Sequence, residues 1–366
     1  MVGGVSTAPA RGGGSATPPR LADIAARASV SEATVSRVLN GKAGVAEPTR
    51  RRVLAALELL GYERPGPPLP EQGRGGRARR RSAGLVGLVI PELTNPIFPA
   101  FAQVIEQQLA GHGYTPVLCT QMPGGATEDE LVEQLEARGV TGIVFLSGLH
   151  ADSTADPTRY RELAARGVPF VLINGYHPDI RAPFVSPDDR AAARMAVSHL
   201  AALGHRRIGL AVGPARYVPA RRKAEGFTAA LTEILGQSRA EAESLIRHTL
   251  FTVEGGQVAA GALLDAGCTG MVCGSDLMAL GAVRECWRRG LAVPADVSVV
   301  GFDDSQLIAF TDPPLTTVRQ PVQAMATAAV GALLEAVEGN PVQPTEFVFQ
   351  PELVVRGSTG QPRQSG

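Results

Sequence analysis

Between positions 85 and 302 short apolar runs alternate with amphipathic stretches, and that alternation leaves few folds open. The runs at 85–90, 116–119, 142–146, 170–173, 208–212, 270–273 and 297–302 lack polar alternation and, but for Ser298, are apolar, as expected of strands buried on both faces. The stretches at 97–110, 128–138, 190–203, 220–235, 256–264 and 277–289 read as helices. Such a succession builds a parallel sheet with helices on both faces. One open sheet does not comfortably hold so many units, so an α/β body of two doubly wound parallel-sheet lobes is expected. Lobes of this kind bind ligands at the carboxyl ends of their strands, in the crevice between them.

The full chain has 366 residues, which leaves room for a small head of different composition. Positions 1–83 carry 14 basic and 6 acidic residues, whereas the remainder carries 21 and 29. A basic head on an acidic body points to a polyanion partner for the head alone, because neutralising phosphates releases their condensed counterions. Composition divides the chain into an extension at 1–19, expected to be disordered, a compact helical domain at 20–63 and a Pro/Gly/Arg-rich linker at 64–83. The body follows at 84–357, and 358–366 reads as a disordered tail. The extension has no apolar centre of the kind a signal peptide needs, and no run approaches the ~18 apolar residues of a membrane span. A cytoplasmic protein without membrane contact is the expectation. Cys119, Cys268, Cys273 and Cys286 lack metal-site spacing and read as free thiols in a reducing compartment.

Three short helices can be read in the head. Leu21, Ile24, Ala25 and Ala28 form one apolar face, Ser29-Val30-Ser31 interrupts it, and Ser31 suits the N-cap of a second helix. That helix, 32–39, places Val35, Val38 and Leu39 inward and Glu32, Ala33, Thr34, Ser36 and Arg37 outward, with Asn40-Gly41 to end it. Thr49 is expected to cap a third helix through Leu60, with Val53, Leu57 and Leu60 inward. A short helix with small polar residues on its exposed side fits a DNA major groove. A small helical domain with a solvated polar face would show the same pattern.

The string from Leu21 to Asn40, which includes Ser31-Glu-Ala-Thr-Val-Ser-Arg-Val-Leu-Asn40, resembles the head of the lactose/galactose repressor (LacI/GalR) family. Val45, Thr49-Arg50 and Leu60-Gly61-Tyr62 extend the likeness. The resemblance implies a helix-turn-helix that reads double-stranded DNA, with Glu32, Ala33 and Arg37 at base edges. It implies Ser31, Thr34, Ser36, Asn40 and Thr49 as phosphate or positioning contacts. Two positions depart from the family pattern: Ser29 stands where Gly is usual in the turn, and Arg20 stands where Thr usually caps the first helix. The linker departs further. Pro65, Pro67, Pro68 and Pro70 break the hinge helix that the family carries there, leaving Leu69 as the nearby apolar candidate for a minor-groove wedge. Arg74, Arg77 and 79–81 offer either electrostatic contacts to DNA or a merely solvated basic linker.

The body resembles the same family's sensor, a fold like that of periplasmic sugar-binding proteins. The matching segments are 91–98, 203–208, 274–281, 300–304 and 314–320. They place polar residues just past strand ends. Asn95, Asn174, Ser275 and Gln320 can each donate and accept, and Asp303 can accept from two hydroxyls, which is what a sugar-like ligand requires. Phe98 and Phe251 suit stacking on the apolar face of a sugar, or the core. Lys223 stands where the family typically has Arg, which keeps the cation and loses the planar fork. Asp276 suits either ligand contact or the cap of the helix it begins, and Asp188-Asp189 reads as a cap for the helix at Arg190, with ligand contact as the alternative. Asp303-Asp304 would also fit a solvated turn.

Three classes of function compete. The expectation is a repressor that binds a palindromic operator as a homodimer and answers to a sugar-like effector in the cleft. A pure solute-binding protein would explain the cleft but not the head. An α/β enzyme finds no support: there is no Gly-x-Gly-x-x-Gly after a strand, no phosphate loop, no Gly-x-Ser-x-Gly, no His/Cys metal spacing and no cofactor motif.

Overall fold

The computed structural model describes residues 20–39, 44–60, 83–121, 124–341 and 343–363. These fall in two compact units, one within 1–77 and one within 78–366. The expectations for the N-terminal extension, Asn40 and nearly all of the linker, including Leu69, lie outside the described residues.

The first unit holds α1 (Leu21–Ala28), α2 (Glu32–Leu39) and α3 (Glu47–Leu59). Ile24, Ala25, Ala28, Val35, Val38, Val53 and Ala56 bury together, while Leu21, Leu39, Leu57 and Leu60, also expected inward, are only partly buried against them. The chain turns after α1 because Ser29 adopts φ 54°, so the departure from Gly there is accommodated in the left-handed region at some steric cost. Ser31 caps α2 as expected, its Oγ accepting from the Thr34 amide at 3.2 Å. At the start of α1, the Arg20 amide donates to the Asp23 carboxylate at 2.7 Å, which supplies half of a capping box. Thr49 does not cap α3. The helix begins two residues earlier at Glu47, with the Thr49 and Arg50 amides donating to the Ala46 carbonyl, because Pro48 is readily accepted in a first turn.

The second unit opens with β1 (Gly84–Ile90), α4 (Ile97–Gly111), β2 (Tyr114–Thr120), α5 (Glu128–Ala137) and β3 (Gly142–Leu146). It continues with α6 (Thr158–Ala165), β4 (Phe170–Ile173), β5 (Phe184–Pro187), α7 (Asp189–Ala202), β6 (Ile208–Val212) and α8 (Val218–Leu235). Next come α9 (Arg239–Glu243), β7 (Ile246–His248), α10 (Val253–Asp265), β8 (Gly270–Cys273) and α11 (Asp276–Arg288). The last elements are β9 (Ser298–Asp303), β10 (Thr316–Arg319), α12 (Val322–Val337), β11 (Glu346–Phe349) and β12 (Glu352–Val354).

Two six-stranded sheets result. The first runs β11-β5-β4-β3-β1-β2, all parallel, and the second runs β12-β10-β9-β8-β6-β7, parallel except for β12. In the first lobe α4 and α12 bury Phe101, Ile105, Met325 and Leu333 against one face, while Leu131, Leu135, Tyr160 and Leu163 cover the other. The second lobe packs around Leu200, Phe227, Leu263, Met278 and Val300. The chain passes between lobes after β5, after β10 and after β11, so neither lobe is one contiguous segment.

The expected disordered tail does not begin at 358. Ser358 is fully buried, its hydroxyl donating to the Val299 carbonyl at 2.6 Å and accepting from the Thr316 amide at 2.8 Å. Gly360 donates from its amide to Ser298 Oγ (3.0 Å) and accepts from His205 Nε2 (3.0 Å). With that tautomer set, His205 Nδ1 accepts from the Thr269 hydroxyl at 2.9 Å. Composition hid this order, because the tail is held by polar partners rather than by an apolar face. Ending the chain after Gly357 would orphan several buried groups, each worth about 1–3 kcal/mol. Urea unfolding of that truncation should therefore show a stability loss of about 3 kcal/mol or more.

Candidate functional site

In the first unit the outer side of α2 carries Glu32, Ala33 and Arg37 exposed, with Ser31 exposed at its N-cap. Thr34 and Ser36 are half-buried rather than fully outward: Thr34 Oγ1 lies 3.0 Å from Ser31 Oγ, an arrangement that stiffens the entry to the helix. Thr49 is half-buried in the first turn of α3, followed by the exposed bases Arg50, Arg51 and Arg52. Hydroxyls, a guanidinium and a basic helix edge thus lie on one small, rigid unit.

In the second unit the carboxyl ends of parallel strands converge on one cavity of about 230 Å³. From the first lobe, the turn after β1 brings Asn95 and Phe98, β3 leads to Ser147 and β4 leads to Asn174. From the second, β8 leads to Gly274-Ser275, β9 ends on Asp303, β10 leads to Gln320, and α8 contributes Lys223. Phe251 completes the wall, its ring lying across Gly213 and Gly274; a Cβ at Gly213 would stand 2.0 Å from that ring. Eight of the nine ligand candidates from the sequence line this cavity.

Asp276 is the exception. Ser275 caps α11, accepting from the Met278 amide at 3.2 Å, which leaves Asp276 in the first turn pointing away from the cavity. Its carboxylate is taken by the Ser305 amide and the Thr317 hydroxyl, each at 2.7 Å. Burial pushes its carboxyl up to about 6, against the pull of those hydrogen bonds. Gly301 has no side chain for the same reason, since a Cβ there would meet Asp276 Oδ1 at 2.4 Å. Asp276 therefore braces the strand ends, and it lines the wider groove between the lobes, which shares Ile97, Asp303 and Gln320 with this cavity.

Polar chemistry in the cavity is unevenly matched. Lys223 Nζ contacts Asp189 Oδ1 at 2.5 Å and lies 3.8 Å from the centre of the Phe302 ring. Gln320 Nε2 donates to Asp303 Oδ1 at 2.7 Å. Gln320 Oε1 and Asn174 Oδ1 are buried without a protein partner among the described residues. Burial raises the Asp303 carboxyl well above its ordinary value, and the charge of Asp276 adds to this, while the Gln320 hydrogen bond and Lys223 oppose it. Burial likewise raises Asp189, with Lys223 pulling it back. Ser147, Asn174 and Asp303 all hold positive φ at strand ends around the cavity, a strain that the surrounding lobes maintain.

Sequence reasoning missed Ser147, Tyr217 and Glu92 as lining residues, and for Asp188-Asp189 it favoured a cap over ligand contact. Asp188 alone caps α7, accepting from the Ala191 amide at 2.9 Å, which frees Asp189 to face Lys223. The adjacent acids were the available signal, because one cap needs only one carboxylate. Beside the cavity two polar latches join the lobes. Asp152 pairs with Arg216 at 2.7 Å, and Glu346 takes Arg222 in a two-point fork at 2.6 and 2.9 Å.

Comparison with known proteins agrees with this geometry. The family described as bacterial regulatory proteins, lacI family, matches residues 20–65, and a periplasmic binding protein-like domain matches 197–359. An uncharacterized HTH-type transcriptional regulator in the aml 5' region of Streptomyces limosus is 75% identical over 97% of this chain and 98% of its own. The solved complex of the transcriptional regulator CelR with cellobiose is similar at 31% identity and TM-score 0.67, over 93% of this chain and 99% of that one. A lac repressor dimer bound to operator and the anti-inducer ONPF is similar at 27% identity and TM-score 0.65, over 94% of this chain and 100% of that one. The chain belongs to the LacI family of bacterial transcriptional regulators.

Proposed function

We propose that this regulator is a cytoplasmic repressor that binds a palindromic operator as a homodimer and is controlled by a sugar-like ligand held between its lobes. The observation that carries the reading is the cavity itself. Two buried amide oxygens without partners among the described residues, two buried carboxyls and aromatic rings from both lobes surround a space of about 230 Å³. A polyhydroxylated ligand would satisfy those oxygens while laying an apolar face on Phe98 or Phe251. The cellobiose held by CelR is support of the same kind.

In this reading the domain division is 20–63 for DNA, 64–83 for the linker and 84–357, extended to at least Arg363, for sensing and dimerisation. Arg37, Glu32 and Ala33 read bases. Ser31, Thr34, Ser36, Asn40 and Thr49 hold the register on phosphates, and Leu69 is the candidate wedge. Exposed Leu307, Phe310 and Val258 on the second lobe offer apolar surface for a second copy. Ligand acts by preferring one arrangement of the lobes, and with it one arrangement of the paired heads.

The reading is tested by selecting bound duplexes from a random pool with the full chain at near-physiological salt, with and without neutral sugars. An enriched palindrome whose recovery changes with sugar supports it; a folded protein that enriches nothing under either condition overturns it. Arg37→Ala should weaken binding of the selected duplex by about 5- to 150-fold, the ~1–3 kcal/mol of a base-reading contact, and leave ligand titrations unchanged. Asp303→Ala should do the reverse. Losing hydrogen bonds to a buried carboxyl and stranding Gln320 costs ~1.5–3 kcal/mol, so calorimetry should show ligand binding roughly ten- to hundredfold weaker. Binding of duplex without ligand should be retained.

A further inference from the structure

Four charged side chains line the cavity, Glu92, Asp189, Asp303 and Lys223, so its one base faces three acids. Lys223 is buried, and its ammonium is spent on Asp189 at 2.5 Å. The neighbouring base on α8, Arg222, is held by both oxygens of Glu346 and does not line the cavity. The buried polar atoms of the cavity that lack a partner among the described residues are acceptors. Gln320 must present its amide nitrogen to Asp303, which turns Oε1 away from that pair, and Asn174 Oδ1 likewise has no protein partner among the described residues.

We propose that Asp189 is a specificity-determining residue: by cancelling Lys223 it makes the cleft select an uncharged, hydroxyl-rich ligand and reject phosphorylated or carboxylated sugars. The inference rests on the reading of the cavity as a sugar site and adds the charge class of the sugar. With Asp189 and Lys223 paired, Glu92 and Asp303 leave the cavity a net charge of minus two if Asp303 is ionised and minus one if it is protonated. In neither state is it positive. An entering phosphate would meet no free cation, and buried acceptor oxygens would repel it with little screening from water. A hydroxyl donates to those same oxygens without cost. Without Asp189, the ammonium over the Phe302 ring would be the natural anchor for an anion.

The experiment compares matched probes on the full chain by calorimetry: glucose with glucose 6-phosphate and with glucuronate, and cellobiose with cellobionate. The wild-type protein should bind a neutral member at least tenfold more tightly than its anionic derivative. Asp189→Asn, which keeps the shape and removes one negative charge, should narrow that gap at least tenfold by strengthening the anionic member. The double variant Asp189→Asn with Lys223→Gln has neither charge and should restore the wild-type preference. An anion bound by the wild-type protein as tightly as its parent overturns the proposal and leaves the sugar site standing. A folded Asp189→Asn with an unchanged ratio also overturns it. Should Asp189→Asn fail to fold, the wild-type ratios and the double variant decide the matter. If no member of either set binds the wild-type protein, the sugar reading falls and this proposal falls with it.

Discussion

The cleft depends on a single geometric constraint, that parallel strands deliver their carboxyl ends to the same side. Every strand of the first sheet, and five of the six in the second, obeys it. Because the chain crosses between the sheets three times, the two sets of strand ends are brought face to face. Ser147 and Asn174 reach the cavity from one lobe and Ser275, Asp303 and Gln320 from the other without any long loop to position them. Short turns after buried strands are stiff, and stiffness is what a site made of single hydrogen bonds needs. The positive φ values at Ser147, Asn174 and Asp303 are the local cost of turning so sharply.

Much of this was legible in the sequence because buried parallel strands are written as uninterrupted apolar runs. All seven strands expected from such runs are present, four with unchanged ends. The strands that escaped notice, β5, β7, β10, β11 and β12, are three or four residues long and carry polar residues such as Ser186, Arg247, Thr316 and Glu346. They lie toward the edges of their sheets or at the crossings, where apolar patterning is weakest. Helix α12 was equally hard to place, since its sequence is apolar nearly all round and lacks a polar stripe.

For the site, residue type and position after a strand were enough to place Asn95, Asn174, Asp303 and Gln320. What sequence could not provide was the direction of neighbours. Asp188 and Asp189 are adjacent and identical, yet one caps a helix and the other faces Lys223. Ser275 and Asp276 divide in the same way, one at the cavity and one tied to Ser305 and Thr317. In each pair the residue at the cap position is determined by backbone amides nearby, whereas the role of its neighbour is decided by a residue far along the chain. Long-range partners of that kind leave no trace in local pattern.

The late return of the chain to its first sheet bears on how the protein is made. Strand β5 receives β11 beside it, and the face that α4 begins to cover is completed by α12, more than 130 residues after β5 ends. A ribosome translating this message therefore exposes an unfinished apolar sheet until positions 322–349 have emerged, after every strand of the second sheet except β12 has been made. Both lobes thus wait for C-terminal segments, the first for α12 and β11 and the second for β12 and the buried tail, so the nascent chain meets the cell's chaperones with its first-made sheet still open.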